Sequence, residues 1–275
     1  RFLDNVLTDF IEKAPEEFSD ATYSAMKERS VGLGVMGLHS FFQQKMIPLE
    51  SVMSKVWNKK IFEHIQKDVD KASKDLAEER GACPDAADYG IKERFSNKTA
   101  IAPTASISII CGGTSPGVEP IAANSFTHKT LSGSFNVRNR YLEKILEKHN
   151  KNDDETWSSI TTNQGSVSHL DFLTQQEKDV FKTAFELDQK WIVELGADRT
   201  PHISQAQSIN IFVPADIHKK ELHQIHFQAW KKGLKSLYYC RSKSIQRAEN
   251  VNDAKLTDVT ANVYKSKNQQ NEEQE

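Results

Sequence analysis

Four stretches of this 275-residue chain carry apolar residues at helical spacing. Phe2, Leu3, Val6, Leu7, Phe10 and Ile11 open it as an amphipathic helix. With no Met before it, the pattern suits a helix cut from a longer parent, so a fragment or one piece of a split protein is expected. After Pro48, Val52, Val56, Ile61, Ile65, Val69, Ala72 and Leu76 share one side of a long helix that Gly81 is placed to end. That side is expected to cover a sheet. Thr174-Gln175-Gln176-Glu177 reads as a capping box, opening a helix whose positions Val180, Phe181, Ala184, Leu187, Trp191, Ile192 and Leu195 run to Gly196. A further helix is expected over 216–233, with Leu222, Ile225, Ala229 and Trp230 inward.

Three short apolar runs, at 107–111, 208–213 and 236–239, lack that spacing and have the length of strands. The last two bracket the helix at 216–233 as a β-α-β unit, which predicts an α/β fold with some parallel pairing. Beyond Val251 the chain turns polar and holds too few apolar residues to offset the entropy of ordering. The expected division is a folded unit over 1–250 and a flexible polar tail over 251–275.

A net charge of −2 gives no overall attraction to nucleic acid or to an anionic membrane, so any phosphate binding must be local. No apolar run reaches the length of a membrane span and the N-terminus lacks a signal-peptide layout, so a cytoplasmic location is expected. Cys83, Cys111 and Cys240 have no Cys-x-x-Cys spacing and suggest neither a disulfide framework nor a zinc site. His218, His223 and His226 gather around one helix without accompanying carboxylates and read as partly exposed helix histidines; no metal site is expected.

Gly32-Leu33-Gly34-Val35-Met36-Gly37 matches the Gly-x-Gly-x-x-Gly of dinucleotide-binding turns, which would make the chain an NAD(P)-binding oxidoreductase. The context argues against it: Lys27-Glu28-Arg29-Ser30 precedes it in place of an apolar strand, so close packing of small residues is the better reading. Residues 98–120 are more informative. Thr104, Ser106 and Ser108 offer hydroxyls, Ala105 leaves its amide uncovered, and Gly112, Gly113 and Gly117 allow tight turns. Such a backbone can approach a phosphate, although the same composition fits a buried strand over 107–110 between polar turns. Glu119 beside this loop would be repelled by a diphosphate unless it faces away, and is read as structural. Residues 198–202 read as a polar loop from which Arg199 could reach a phosphate.

Pro103-Thr104-Ala105-Ser106-Ile107-Ser108, followed by Thr114-Ser115-Pro116-Gly117-Val118-Glu119-Pro120, resembles the substrate-diphosphate loop of the class I ribonucleotide reductase large (α) subunit. Gly233-Leu234-Lys235-Ser236-Leu237-Tyr238-Tyr239-Cys240-Arg241-Ser242 resembles the tyrosine pair of the same family, in the right order along the chain. The stretches 29–37, 80–84 and 244–249 are similar too. The resemblance implies the C-terminal half of a ten-stranded α/β barrel. It implies that Thr104, Ala105, Ser106, Ile107 and Ser108 cradle the diphosphate of a ribonucleoside diphosphate through side chains and the amides of Ala105 to Ser108, with only a backbone contact at Ile107. Tyr238 and Tyr239 would relay an electron hole and a proton from a radical-generating β subunit, although adjacent tyrosines in a regular strand would point to opposite faces.

The same resemblance implies partners. A metal-containing β subunit would supply the radical, an external dithiol of the thioredoxin or glutaredoxin type the electrons, and the N-terminal part of α the rest of the barrel. The family's Asn-x-Cys-x-Glu motif and terminal cysteine pair have no counterpart among the three cysteines, so this chain alone is expected to be inactive. A non-catalytic reductase fragment acting as a binding partner is the alternative.

Overall fold

Four parallel backbone segments stand side by side in a computed structural model that describes residues 1–130 and 133–242. The helices are α1 (Phe2–Lys13), α2 (Ser19–Glu28), α3 (Leu38–Gln44), α4 (Val52–Arg80), α5 (Pro84–Ala87), α6 (Ile107–Ile110), α7 (Arg140–Lys148), α8 (Asp154–Thr162), α9 (Gln175–Val180), α10 (Gln189–Arg199) and α11 (Lys219–Lys231). The strands are β1 (Ser125–Thr130), β2 (Gly133–Arg138), β3 (Ile211–Val213) and β4 (Cys240–Ser242). The tail expected at 251–275 and the stretch 244–249 lie outside the described residues.

The wall of segments is built by main-chain hydrogen bonds. Leu33 N–H donates to Lys98 O and Ala100 N–H to Leu33 O; Ile101 N–H donates to Ala206 O and Ser208 N–H to Ile101 O. Tyr238 N–H then donates to Ile209 O, Ile211 N–H to Tyr239 O, and β3 pairs with β4 in parallel. Each crossover carries helices: α4 between the first two segments, α7 to α10 between the next two, α11 between β3 and β4. This is part of an α/β barrel, and the β-α-β unit is where the apolar runs predict it. Its core is the inner side of α10 and α11, where Ile192, Val193, Leu195, Ile225 and Ala229 meet Ile209, Ile211 and Val213. Burying each of the larger aliphatic side chains contributes roughly 1.5–3 kcal/mol.

Several expectations are corrected. The run at 107–111 is no strand: Ser108 N–H donates to Thr104 O and Cys111 N–H to Ile107 O, the local bonds of a helical turn. Ile107, Ile109 and Ile110 are exposed, and local bonding satisfies the backbone without a neighbouring strand. The helix expected from 174 to 196 is two helices. The capping box at Thr174 is present, but α9 ends at Val180 and the Asp188 side chain, accepting from Lys190 N–H at 2.9 Å, caps a new start. Between them Ala184 N–H turns away to Ile121 O. The α10 helix also continues through Gly196 to Arg199, so 198–202 is a helix end and a 3-10 turn. Trp230, expected inward, is exposed on α11, and the last strand begins at Cys240, beyond the run at 236–239.

The buried side of α4 also differs from its apolar stripe. Ser54, Asn58, Phe62, Ser73, Leu76 and Ala77 are buried, whereas Val52 and Val56 are exposed. The polar members are satisfied: Ser54 Oγ donates to Leu49 O at 2.6 Å and Asn58 Nδ2 to Leu195 O at 2.9 Å. Side-chain to main-chain bonds thus tie α4 to its neighbours where periodicity predicts only apolar contact. The antiparallel hairpin β1–β2 and helices α7 and α8 complete the described residues, α7 and α8 sharing a second core with α9 around Leu142, Leu146, Trp157 and Phe181.

Candidate functional site

Thr104 stands in the left-handed region with φ of 52°, uncommon for any side chain and a genuine outlier for a β-branched one. Such strain costs of order 1–3 kcal/mol and must be held by its surroundings. Here Thr104 Oγ1 accepts from Gly117 N–H at 2.7 Å. Gly117 is itself at φ of 48°, and a Cβ there would fall 2.9 Å from Ala102 O, so the two turns interlock closely. Ser115 anchors the second turn to α3 by a reciprocal pair: Ser115 N–H donates to Ser40 Oγ at 2.8 Å and Ser40 N–H to Ser115 Oγ at 3.1 Å.

Within the loop, roles divide. Ser108 is buried, its Oγ donates to Ala105 O at 3.2 Å, and its N–H is taken by Thr104 O, so it faces the fold. The N–H groups of Ala105, Ser106 and Ile107 take no acceptor among the described residues and open onto solvent at the start of α6, beside the exposed Ser106 side chain. Successive free N–H groups in a turn can hold an anion through neutral donors. The Arg140 guanidinium lies beside Gly112, where a Cβ would fall 3.1 Å from its Nη2.

Tyr238 and Tyr239 precede β4, outside regular strand geometry, and their rings share a side: the centroids are 4.1 Å apart with planes tilted by 50°. Opposite-face placement, the expectation for a regular strand, does not hold here. The Arg241 guanidinium sits 5.6 Å from the Tyr239 ring centroid. Contact with the Tyr239 phenol, through hydrogen bonding first and charge second, raises the Tyr238 pKa above its ordinary value. Lys235 holds the chain entering this pair by donating to Ile203 O at 3.3 Å and Gln205 O at 3.0 Å, and also to Ser204 O.

The loop and the pair are joined by two buried side chains. Asn210 Nδ2 donates to Glu119 Oε1 at 2.6 Å, and Asn210 Oδ1 accepts from Tyr239 N–H at 3.0 Å. Burial raises the Glu119 pKa, opposed by the Asn210 hydrogen bond and by Arg241. Sequence reasoning leaves Glu119 structural and passes over Asn210, whose signal is an amide inside the apolar run 208–213.

The remaining candidates are placed as follows. Gly32 and Gly34 face the segment at 98–101, where a Cβ on Gly34 would fall 2.5 Å from Ala100 O; this is the close packing of small residues. Arg199, read as a possible phosphate contact, is buried: its Nε donates to Gln207 Oε1 at 2.5 Å and its Nη1 to Asn58 Oδ1 at 3.1 Å. Burial lowers its pKa to about 9, so it keeps its charge at neutral pH. His218 caps α11 by accepting from Lys220 N–H, and no His, Cys, Asp and Glu group able to hold a metal ion occurs among the described residues. Cys83 is buried while Cys111 and Cys240 are exposed, all three as free thiols. No helix among the described residues is long and apolar enough to cross a membrane.

The profile described as ribonucleotide reductase, barrel domain, matches residues 1–89 and 85–240. The ribonucleoside-diphosphate reductase large subunit of Invertebrate iridescent virus 6 is 51% identical over 253 residues, covering 90% of this chain and 26% of that protein. The large subunit of Invertebrate iridescent virus 3 is 44% identical over 259 residues, covering 93% and 41%. Among solved structures, the class Id ribonucleotide reductase alpha subunit of Actinobacillus ureae superposes with a TM-score of 0.81 at 38% identity, covering 88% of this chain and 45% of that one. The chain therefore spans less than half the length of these relatives.

Proposed function

From the premise that this chain belongs to the ribonucleotide reductase barrel-domain family, we propose that it is part of the catalytic α subunit of a ribonucleoside-diphosphate reductase. The reaction replaces the ribose 2′-hydroxyl by hydrogen, releases water and takes two electrons and two protons from a dithiol. This chain would contribute binding and relay; the thiols that do the reduction would come from the rest of α. In this reading residues 1–250 are barrel and 251–275 a tail.

The loop at 104–108 binds the substrate diphosphate. The free N–H groups of Ala105, Ser106 and Ile107 donate to phosphate oxygens, with the hydroxyls of Thr104 and Ser106 beside them. Thr104 Oγ1 accepts from Gly117 N–H and still has its own proton to donate. Ser108 supports the loop from beneath.

Tyr238 and Tyr239 carry the oxidising equivalent from a radical-generating β subunit toward the reacting sugar. A phenol can lose an electron and a proton together, and a neighbouring phenol can receive them. The observation that carries this reading is the contact of the two rings at 4.1 Å on one side of the chain.

The test is reconstitution. The chain is mixed with an N-terminal α fragment, a β subunit and a dithiol, and conversion of cytidine diphosphate to its deoxy form is scored. Turnover only in the full mixture, lost in Tyr238→Phe with substrate binding retained, is the expected result. Soluble, associated fragments that bind substrate without turnover would favour a non-catalytic reductase fragment.

A further inference from the structure

We propose that Asn210 and Glu119 are positioning residues: the Asn210 amide, held by the Glu119 carboxylate, fixes the Tyr239 backbone relative to the loop at 104–108. The inference rests on the reading of Tyr238 and Tyr239 as a relay. Four hydrogen bonds join the two features. Gly117 N–H donates to Thr104 Oγ1 at 2.7 Å and Glu119 N–H to Pro116 O at 3.0 Å. Asn210 Nδ2 then donates to Glu119 Oε1 at 2.6 Å, and Tyr239 N–H to Asn210 Oδ1 at 3.0 Å.

Asn210 and Glu119 are 1% and 8% exposed. A buried polar pair is costly unless fully bonded, and bonds of this kind fix one geometry where apolar packing would tolerate several. The choice of residues fits the task. An asparagine donates and accepts on one short stem, so a single side chain can hold a carboxylate on one side and a main-chain N–H on the other. The flanking Ile209 and Ile211 are buried apolar residues of the main core, so the amide interrupts a run that packing alone would fill with an aliphatic side chain. Tyr238 N–H and Ile211 N–H use main-chain acceptors, whereas Tyr239 N–H uses this side chain. The tyrosine pair is thereby registered to the loop segment as well as to its own sheet neighbour.

The experiment uses the full 275-residue chain with ring-labelled tyrosine and 15N, its two ring signals assigned with Tyr238→Phe and Tyr239→Phe. Asn210→Asp sets a second carboxylate against Glu119. The new carboxylate can still accept from Tyr239 N–H, but with the donor to Glu119 gone the repulsion between the two side chains is expected to draw that acceptor away, shifting both ring signals and speeding exchange of the Tyr239 N–H by roughly tenfold, the scale of one lost hydrogen bond. The double variant Glu119→Gln/Asn210→Asp exchanges donor and acceptor, so the new amide can donate to the new carboxylate, and both readouts are expected to return toward wild type. Unchanged signals in a folded Asn210→Asp, or no rescue in the folded double variant, overturn the proposal. Should the single variant fail to fold, wild type decides: a Tyr239 N–H exchanging as fast as an unbonded surface amide overturns it, and a protected one supports it. Failure of the relay itself would appear as turnover insensitive to Tyr238→Phe and would leave these signals untouched.

Discussion

Thr104 Oγ1 accepts the Gly117 N–H at 2.7 Å, and this bond closes the loop on which an anion would sit. Thr104→Ala removes the acceptor, leaves the part-buried Gly117 N–H unpaired and keeps the backbone strain. It is expected to cost about 1–3 kcal/mol of stability and to weaken diphosphate binding. Thr104→Ser keeps the oxygen and should retain both. Urea denaturation with calorimetric titration of a ribonucleoside diphosphate checks this; equal binding by all three would remove Thr104 from the loop's function.

Asp4 is fully buried beneath three guanidiniums, at 2.6 Å from Arg29 Nη2, 2.7 Å from Arg80 Nη1 and 2.9 Å from Arg94 Nε. Burial alone would raise its pKa, but Arg94, Arg80 and Arg29 together outweigh it and hold the carboxyl below its ordinary value. A depressed folded-state pKa means that the contribution is complete above the unfolded value of about 3.9 and is lost as pH falls through the folded one. Asp4→Asn should therefore destabilise by about 3–5 kcal/mol at neutral pH, with a difference from wild type that shrinks in acid. Thermal melts from pH 7 downward measure it; a constant difference would show that charge is not the cause.

The tyrosine pair makes a spectroscopic prediction. Because the Tyr239 phenol holds the Tyr238 proton on, Tyr239→Phe should lower the Tyr238 pKa toward the ordinary value of about 10. Alkaline titration of the phenolate absorbance, with Tyr238→Phe as reference, reads this directly. No shift would mean that the phenols are not in contact in solution.

How much of this the sequence reveals depends on whether a feature is local. The capping box at Thr174, the end of α4 at Gly81 and the β-α-β unit around α11 are legible because each rests on neighbours in the chain. The buried side of α4 is not, because Ser54 and Asn58 are drawn inward by carbonyls of Leu49 and Leu195, the latter 137 residues away. The run at 107–111 looks like a strand because its isoleucines are apolar, yet Ile107, Ile109 and Ile110 are exposed and no segment among the described residues pairs with them. Helices α7 and α8 are missed in the sequence, although side-chain caps at Asn139 and Asp153 mark both starts and Leu142, Ile145 and Leu146 recur at helical spacing along α7. The loop at 104–108 and the tyrosine pair stand out by motif, but the Asn210 link between them depends on a contact 91 residues apart in sequence.

The glycines at 32 and 34 allow a last prediction, which separates packing from dinucleotide binding. A Cβ on Gly34 would lie 2.5 Å from Ala100 O, a main-chain atom held in the parallel wall, whereas one on Gly32 would meet the Ala100 Cβ at 3.0 Å. A main-chain carbonyl cannot swing aside, so the wall itself must part, while at Gly32 a shift of a few tenths of an ångström relieves the contact. Gly34→Ala should therefore cost about 1–3 kcal/mol and Gly32→Ala less. Pairing Gly32→Ala with Ala100→Gly should recover its loss, since the clashing atom is then gone, and the same second change should leave Gly34→Ala unrelieved. Denaturation midpoints of the four variants measure the pattern. A nicotinamide titration of wild type is expected to show no binding. Saturable binding abolished by either alanine would instead restore the dinucleotide reading of this stretch.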